Sequence, residues 1–73
     1  MKLREIFSKN VIYWRKKRGL TQSELADKSG LNRVYISNVE NGVKNITVDS
    51  MEIFVNALGV PVSELFKERE WTD

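Results

Sequence analysis

The chain has 73 residues, a net charge of +2, and neither cysteine nor histidine. That composition excludes a disulfide framework, a thiolate zinc site, a cysteine nucleophile and a histidine general base. A chain of this length forms one domain, spanning residues 1–73, whose apolar core is marginal alone, so self-association is expected.

The longest apolar run, "VIYW", is four residues, against the roughly 20 needed to span a bilayer. The N-terminus "MKLREIFSKN" lacks an uninterrupted apolar signal region. The expectation is a cytoplasmic protein without a membrane partner. Its charge is unevenly spread. Residues 1–18 hold seven bases and one acid, residues 19–46 are balanced, and residues 47–73 hold two bases and six acids. One end could therefore meet a polyanion, most commonly a nucleic acid, while the other faces something else; solvated helices can also carry unequal charge without any partner.

The glycines at 19, 30, 42 and 59 divide the sequence into segments with helical apolar spacing and no strand-like alternation. In "LREIFSKNVIYWRKKRG", Leu3, Phe7, Val11 and Trp14 fall on one face of a first helix that ends at Gly19. "TQSELADKSG" predicts a helix of about two turns. Thr21 is its N-cap, Glu24 completes a capping box, Leu25 and Ala26 face inward, and Gly30 closes it. Asn32 caps a third helix with Ile36 and Val39 on its apolar edge, stopped by Gly42. After the loop "VKNI", Thr47 caps "VDSMEIFVNAL", in which Val48, Met51, Val55 and Leu58 form a stripe widened by Phe54. Pro61 starts a last helix, "PVSELFKERE", with Val62, Leu65 and Phe66 apolar. The fold class is all-α, with five short helices.

The second and third helices are joined by about three residues around Gly30, which suits two helices crossing near a right angle. From Gln22 the order is three residues, Ala26, three residues, Gly30, five residues, Ile36, two residues, Val39. This is helix-turn-helix spacing, in which the second helix is the one that usually enters the DNA major groove. The stretch "RKKRGLTQSELADKSGLNRVYISNVENG" resembles the DNA-binding domains of Cro and the lambda-type repressors, the XRE family, over roughly residues 8–66. Its phrase "NRVYIS…E…KNIT" further resembles restriction–modification controller proteins.

The resemblance implies a compact lambda-repressor-like domain and a buried ion pair between Arg15 and Glu40. Contact of Arg15 with phosphate is the alternative. For major-groove readout Arg33 is the first candidate, suited to guanine, and Asn38 the second, suited to adenine. Val34 is a candidate for a thymine methyl, and Ser37 and Asn32 for bases or phosphates. Tyr35 is open between the DNA and the core. Gln22 resembles the family's phosphate-binding glutamine, and Asn41, Lys44 and Asn45 would flank the other side of the groove. Turn chemistry equally explains Asn41 and Asn45. Lys16, Lys17 and Arg18 are not distinguished from solvated charges.

One recognition helix covers only a few base pairs, so a two-fold homodimer reading half-sites about 34 Å apart is expected on double-stranded DNA. Ile53, Val62, Phe66 and Trp71, in the acidic C-terminal part, are the interface candidates; alternatively Trp71 caps the core or belongs to a disordered tail. The expected protein is a bacterial or phage-encoded, nucleoid-associated transcriptional regulator without cofactor, metal, small-molecule ligand or catalytic residues. An antitoxin or protein-interaction module, binding DNA secondarily, is the other reading.

Overall fold

Side-chain caps set where the helices begin. Thr21 Oγ1 accepts the Glu24 N–H at 3.0 Å and Glu24 Oε1 accepts the Thr21 N–H at 2.8 Å, the reciprocal capping box read from the sequence. Asn32 Oδ1 accepts from the Val34 N–H at 2.7 Å, and Thr47 Oγ1 from the Ser50 N–H at 3.1 Å. Each such cap contributes about 1 kcal/mol by satisfying an otherwise orphaned helix N–H. The computed structural model describes residues 2–71, so Asp73, one of the acids counted above, lies outside the described residues. The helices are α1 (Lys2–Lys17), α2 (Gln22–Ser29), α3 (Arg33–Glu40), α4 (Val48–Leu58) and α5 (Val62–Leu65), with no strand among the described residues. None of these helices is long and apolar enough to cross a membrane.

Between α2 and α3 the backbone turns at Gly30, whose φ of 76° is left-handed, and its N–H bonds the Ala26 carbonyl at 2.9 Å. A side chain in that conformation costs about 1–2 kcal/mol, which is why glycine punctuates the turn.

α1 packs across α3, α4 and α5, while α2 packs on α3 and α4. The centre is formed by Phe7, Val11, Leu25, Ile36, Val39, Phe54, Leu58 and Leu65, all fully buried. Phe7 meets Phe54 edge-on, with ring centroids 5.8 Å apart and planes at 79°. Burying a side chain of this size stabilises by about 1.5–3 kcal/mol.

Two expected stripes are corrected. Leu3 is 52% exposed and Val48 78% exposed, because each sits at the first turn of its helix, beyond the elements that would cover it. The inward face of α4 is Phe54, Ala57 and Leu58, with Met51 and Val55 only half-buried. Phe54 is thus the middle of the stripe, rotated by about 100° from the phase that Val48 and Val55 suggested. Trp14 also packs against the core only in part.

The last helix is shorter than expected. It ends at Leu65, and residues 67–71 are non-helical. Asn10, wholly buried on α1, explains the ending. Its Nδ2 donates to the carbonyls of Leu65 at 3.2 Å and Lys67 at 2.8 Å as well as to Ile6 at 3.0 Å. Carbonyls that would otherwise need further helical N–H groups are satisfied by this side chain. Asn10 Oδ1 accepts from Arg69 Nε at 2.8 Å, and Arg69 Nη2 pairs with Glu64 Oε1 at 2.8 Å. The Arg69 guanidinium lies 4.3 Å from the Tyr13 ring centre, and Trp71 meets the same ring edge-on at 6.3 Å. Trp71 is therefore half-buried against α1.

Candidate nucleic-acid interface

α3 divides cleanly by face. Ile36 and Val39 are fully buried, which at helical spacing leaves Arg33, Val34, Ser37 and Asn38 on the other side. Arg33 is exposed and Val34 is 58% exposed, while Ser37 and Asn38, one turn later, are half-buried. Asn32 is exposed, but its Oδ1 is committed to capping, so its Nδ2 donors are what it can offer. Tyr35 turns toward α4. Its ring is half-buried against the core and its hydroxyl donates to Ser50 Oγ at 2.9 Å, with Lys44 Nζ 5.5 Å from the ring centre.

Behind the row lies the expected ion pair. Arg15 Nε donates to Glu40 Oε2 at 2.6 Å and its Nη2 to Oε1 at 3.1 Å, a two-pronged pairing of side chains 12% and 4% exposed. Arg15 Nη1 also donates to the Leu20 carbonyl at 2.9 Å, so one guanidinium joins α1, the turn before α2 and the end of α3. The second Glu40 oxygen accepts from Gln22 Nε2 at 3.0 Å, and Gln22 Oε1 accepts a long bond from Arg33 Nη1 at 3.4 Å. A continuous chain therefore runs from Arg15 through Glu40 and Gln22 to Arg33. Gln22 retains a second amide hydrogen for another acceptor.

Past α3, Asn41, Lys44 and Asn45 are all exposed. Asn45 Oδ1 accepts from Arg4 Nη2 at 2.7 Å, bringing the start of α1 to this loop. Sequence reading counted Arg4 only as part of the basic end, because its partner is 41 residues away. Arg18 also separates from its basic neighbours. It donates to the carbonyls of Leu58 at 2.8 Å and Gly59 at 3.3 Å, closing the C-terminus of α4, and stacks 4.9 Å from the Trp14 ring.

The four interface candidates do not converge. Ile53 lines a hollow with Lys28 and Ser29, Phe66 one with Leu3 and Met51, and Trp71 one with Ile6 and Lys9. Phe66 tilts onto Phe7 with ring centres 5.3 Å apart, and Val62, 50% exposed, is fractionally the most exposed of the four.

Two short helices crossing at a glycine turn, the second presenting a polar row to solvent, define a helix-turn-helix domain. The helix-turn-helix profile HTH_3 matches residues 11–65, and the chain belongs to this XRE-type family of transcriptional regulators. The control protein C.SmaI of Serratia marcescens is 38% identical over 65 residues, covering 89% of this chain and 77% of that protein. The restriction-modification controller protein C.AhdI of Aeromonas hydrophila superposes with a TM-score of 0.84 at 32% identity, over 90% of this chain and 100% of that one. The controller protein C.Esp1396I, crystallised as a tetramer with its natural 35 base-pair operator, superposes with a TM-score of 0.81 at 32% identity, over 92% and 99% of the two chains.

Proposed function

We propose that the protein is a sequence-specific DNA-binding regulator acting as a homodimer on a two-fold symmetric operator, and that it is the controller of a restriction–modification system. The observation that carries this reading is the exposed row on α3, tied through Gln22 and Glu40 to Arg15. A row held from behind can enter a groove without first becoming ordered, which lowers the entropic cost of binding. The controller assignment rests on likeness to C.SmaI and C.AhdI.

In this reading α3 lies in the major groove. Arg33 takes the O6 and N7 of guanine, Asn38 the edge of adenine, and Val34 a thymine methyl, with Ser37 and the Asn32 amide reaching bases or nearby phosphates. Gln22, at the first turn of α2, donates its spare amide hydrogen to a phosphate alongside the helix N-terminus. Asn41, Lys44 and Asn45 meet the backbone on the opposite flank. Tyr35 fixes α3 to α4 through Ser50 and lends its ring edge to the flank occupied by Lys44. Dimerisation brings two such helices about one DNA turn, ~34 Å, apart. Of the candidates Ile53, Val62, Phe66 and Trp71, the exposed Val62 is the proposed centre of the interface, and the other three, which line separate hollows, would border it.

Selection of bound duplexes from a random pool, followed by titration of the selected sequence against random duplex, tests the proposal. The expected sequence has two-fold symmetry. Its affinity exceeds that for random duplex by about 10³-fold or more and falls steeply with salt. Equal affinity for both duplexes would refute sequence-specific regulation.

A further inference from the structure

We propose that Arg4 is a phosphate anchor of the DNA interface and that it also positions Asn45; the inference rests on the DNA-binding reading above. Arg4 stands near the start of α1, remote in sequence from the recognition helix, yet its Nη2 reaches the loop after α3 and donates to Asn45 Oδ1 at 2.7 Å. That partner is neutral. The ion pairs among the described residues are Arg15 with Glu40 and Arg69 with Glu64, so no described carboxylate lies within 4.0 Å of Arg4. Glu5, next along the helix, points away from it, because adjacent helical residues do not face one another.

A guanidinium has five N–H donors, and an amide acceptor occupies one of them while leaving the charge uncompensated. The same bond orients Asn45. With Oδ1 turned to Arg4, the Nδ2 group and its two hydrogens face the other way. Lys44, exposed beside it, adds an ammonium. The loop therefore offers donors and cations to one acceptor-rich partner, and a DNA phosphate fits that demand. Arg4 is not an extension of the Lys16–Arg18 cluster, since 12 helical residues put it about 18 Å from Lys16. In the DNA-binding reading above, where Asn45 flanks the groove opposite Gln22, Arg4 adds positive charge to that flank.

The test compares full-length wild type with Arg4→Gln, Arg4→Lys, Asn45→Ala and the double variant Arg4→Gln with Asn45→Ala, titrated against operator and random duplex from 50 to 200 mM salt. In the proposed homodimer Arg4→Gln removes two phosphate contacts per operator, each contributing about 0.9 to the slope of log affinity on log salt, about 1.8 together, equivalent to about 12-fold less loss over that range. Arg4→Gln is expected to show this change and to weaken both duplexes equally, leaving their ratio unchanged, whereas Arg4→Lys keeps most of the slope. Asn45→Ala should weaken binding more in the wild-type background than in Arg4→Gln, because its amide has lost its guide there. A wild-type slope in Arg4→Gln, with or without a lower melting temperature, would overturn the anchor and leave Arg4 as a tie between α1 and the loop. A loss confined to the operator would overturn it in favour of base contact. Salt-independent binding by the wild type would sink the DNA-binding reading itself, so the two failures are distinguishable.

Discussion

Replacing Arg15 by alanine removes both prongs from a carboxylate that is 4% exposed and leaves Gln22 Nε2, at 3.0 Å, as its one side-chain donor. A stranded buried charge of this kind costs about 3–5 kcal/mol. The bond from Arg15 Nη1 to the Leu20 carbonyl is lost as well, adding about 1 kcal/mol. Small domains are stable by only about 5–15 kcal/mol, so Arg15→Ala should approach the unfolding threshold, its melting temperature lowered by roughly 16 °C or more. Urea unfolding followed by far-ultraviolet circular dichroism and tryptophan fluorescence measures the loss. Arg15→Met combined with Glu40→Leu should recover most of it, because two apolar side chains leave no charge without a partner. A loss below about 1 kcal/mol for Arg15→Ala, the range of solvent-exposed pairs, would refute the reasoning. So would a double variant as unstable as the single one.

Arg33→Ala should cost about 1–3 kcal/mol on the cognate operator and relax preference at one base pair; a duplex-binding titration that shows equal weakening on all sequences would make Arg33 a phosphate contact. Val62→Glu should yield monomers by sedimentation, with poor operator affinity, and an unchanged mass would move the interface elsewhere; Phe66 is a worse probe because its ring packs on Phe7. Asn10→Ala leaves the Leu65 and Lys67 carbonyls and Arg69 Nε without their buried partner and should cost about 1–3 kcal/mol. In a Trp14→Phe background it should also raise the accessibility of Trp71 to a soluble quencher, and unchanged quenching would show that the chain end is held by other contacts.

Features set by neighbours in the chain were readable from sequence. Thr21, Asn32 and Thr47 cap where their spacing to the next apolar residues places them, and the helix-turn-helix follows from Gln22, Ala26, Gly30, Ile36 and Val39. Phase and distant partners were harder to read. The expected α4 stripe of Val48, Met51, Val55 and Leu58, widened by Phe54, includes Phe54 and Leu58 but centres on the wrong phase; a stripe through Phe54, Ala57 and Leu58 fits helical spacing equally well, and only packing against α1 and α2 distinguishes the two. The short α5 depends on Asn10, whose bonds to residues 65 and 67 span 55 and 57 positions. A signal for Asn10 was nevertheless present: a polar residue three after Phe7 and four before Trp14 lies on the apolar stripe, where it needs buried partners. For the candidate DNA interface the sequence indicated which side of α3 is outward. It did not indicate that Arg4 would arrive at Asn45 or that Gln22 would bridge Glu40 and Arg33.

The manner in which Asn10 holds the chain end has an evolutionary consequence. Its amide hydrogens grip main-chain oxygens, which every amino acid carries, so the path past Leu65 and Lys67 is held through the backbone, while Arg69 and Trp71 are held by their own side chains. Lys67, Glu68 and Glu70 are exposed and can change charge or size while the backbone keeps its course. At these three positions the domain combines a fixed trajectory with free composition, so a lineage can rewrite that part of its outer surface without redesigning its fold.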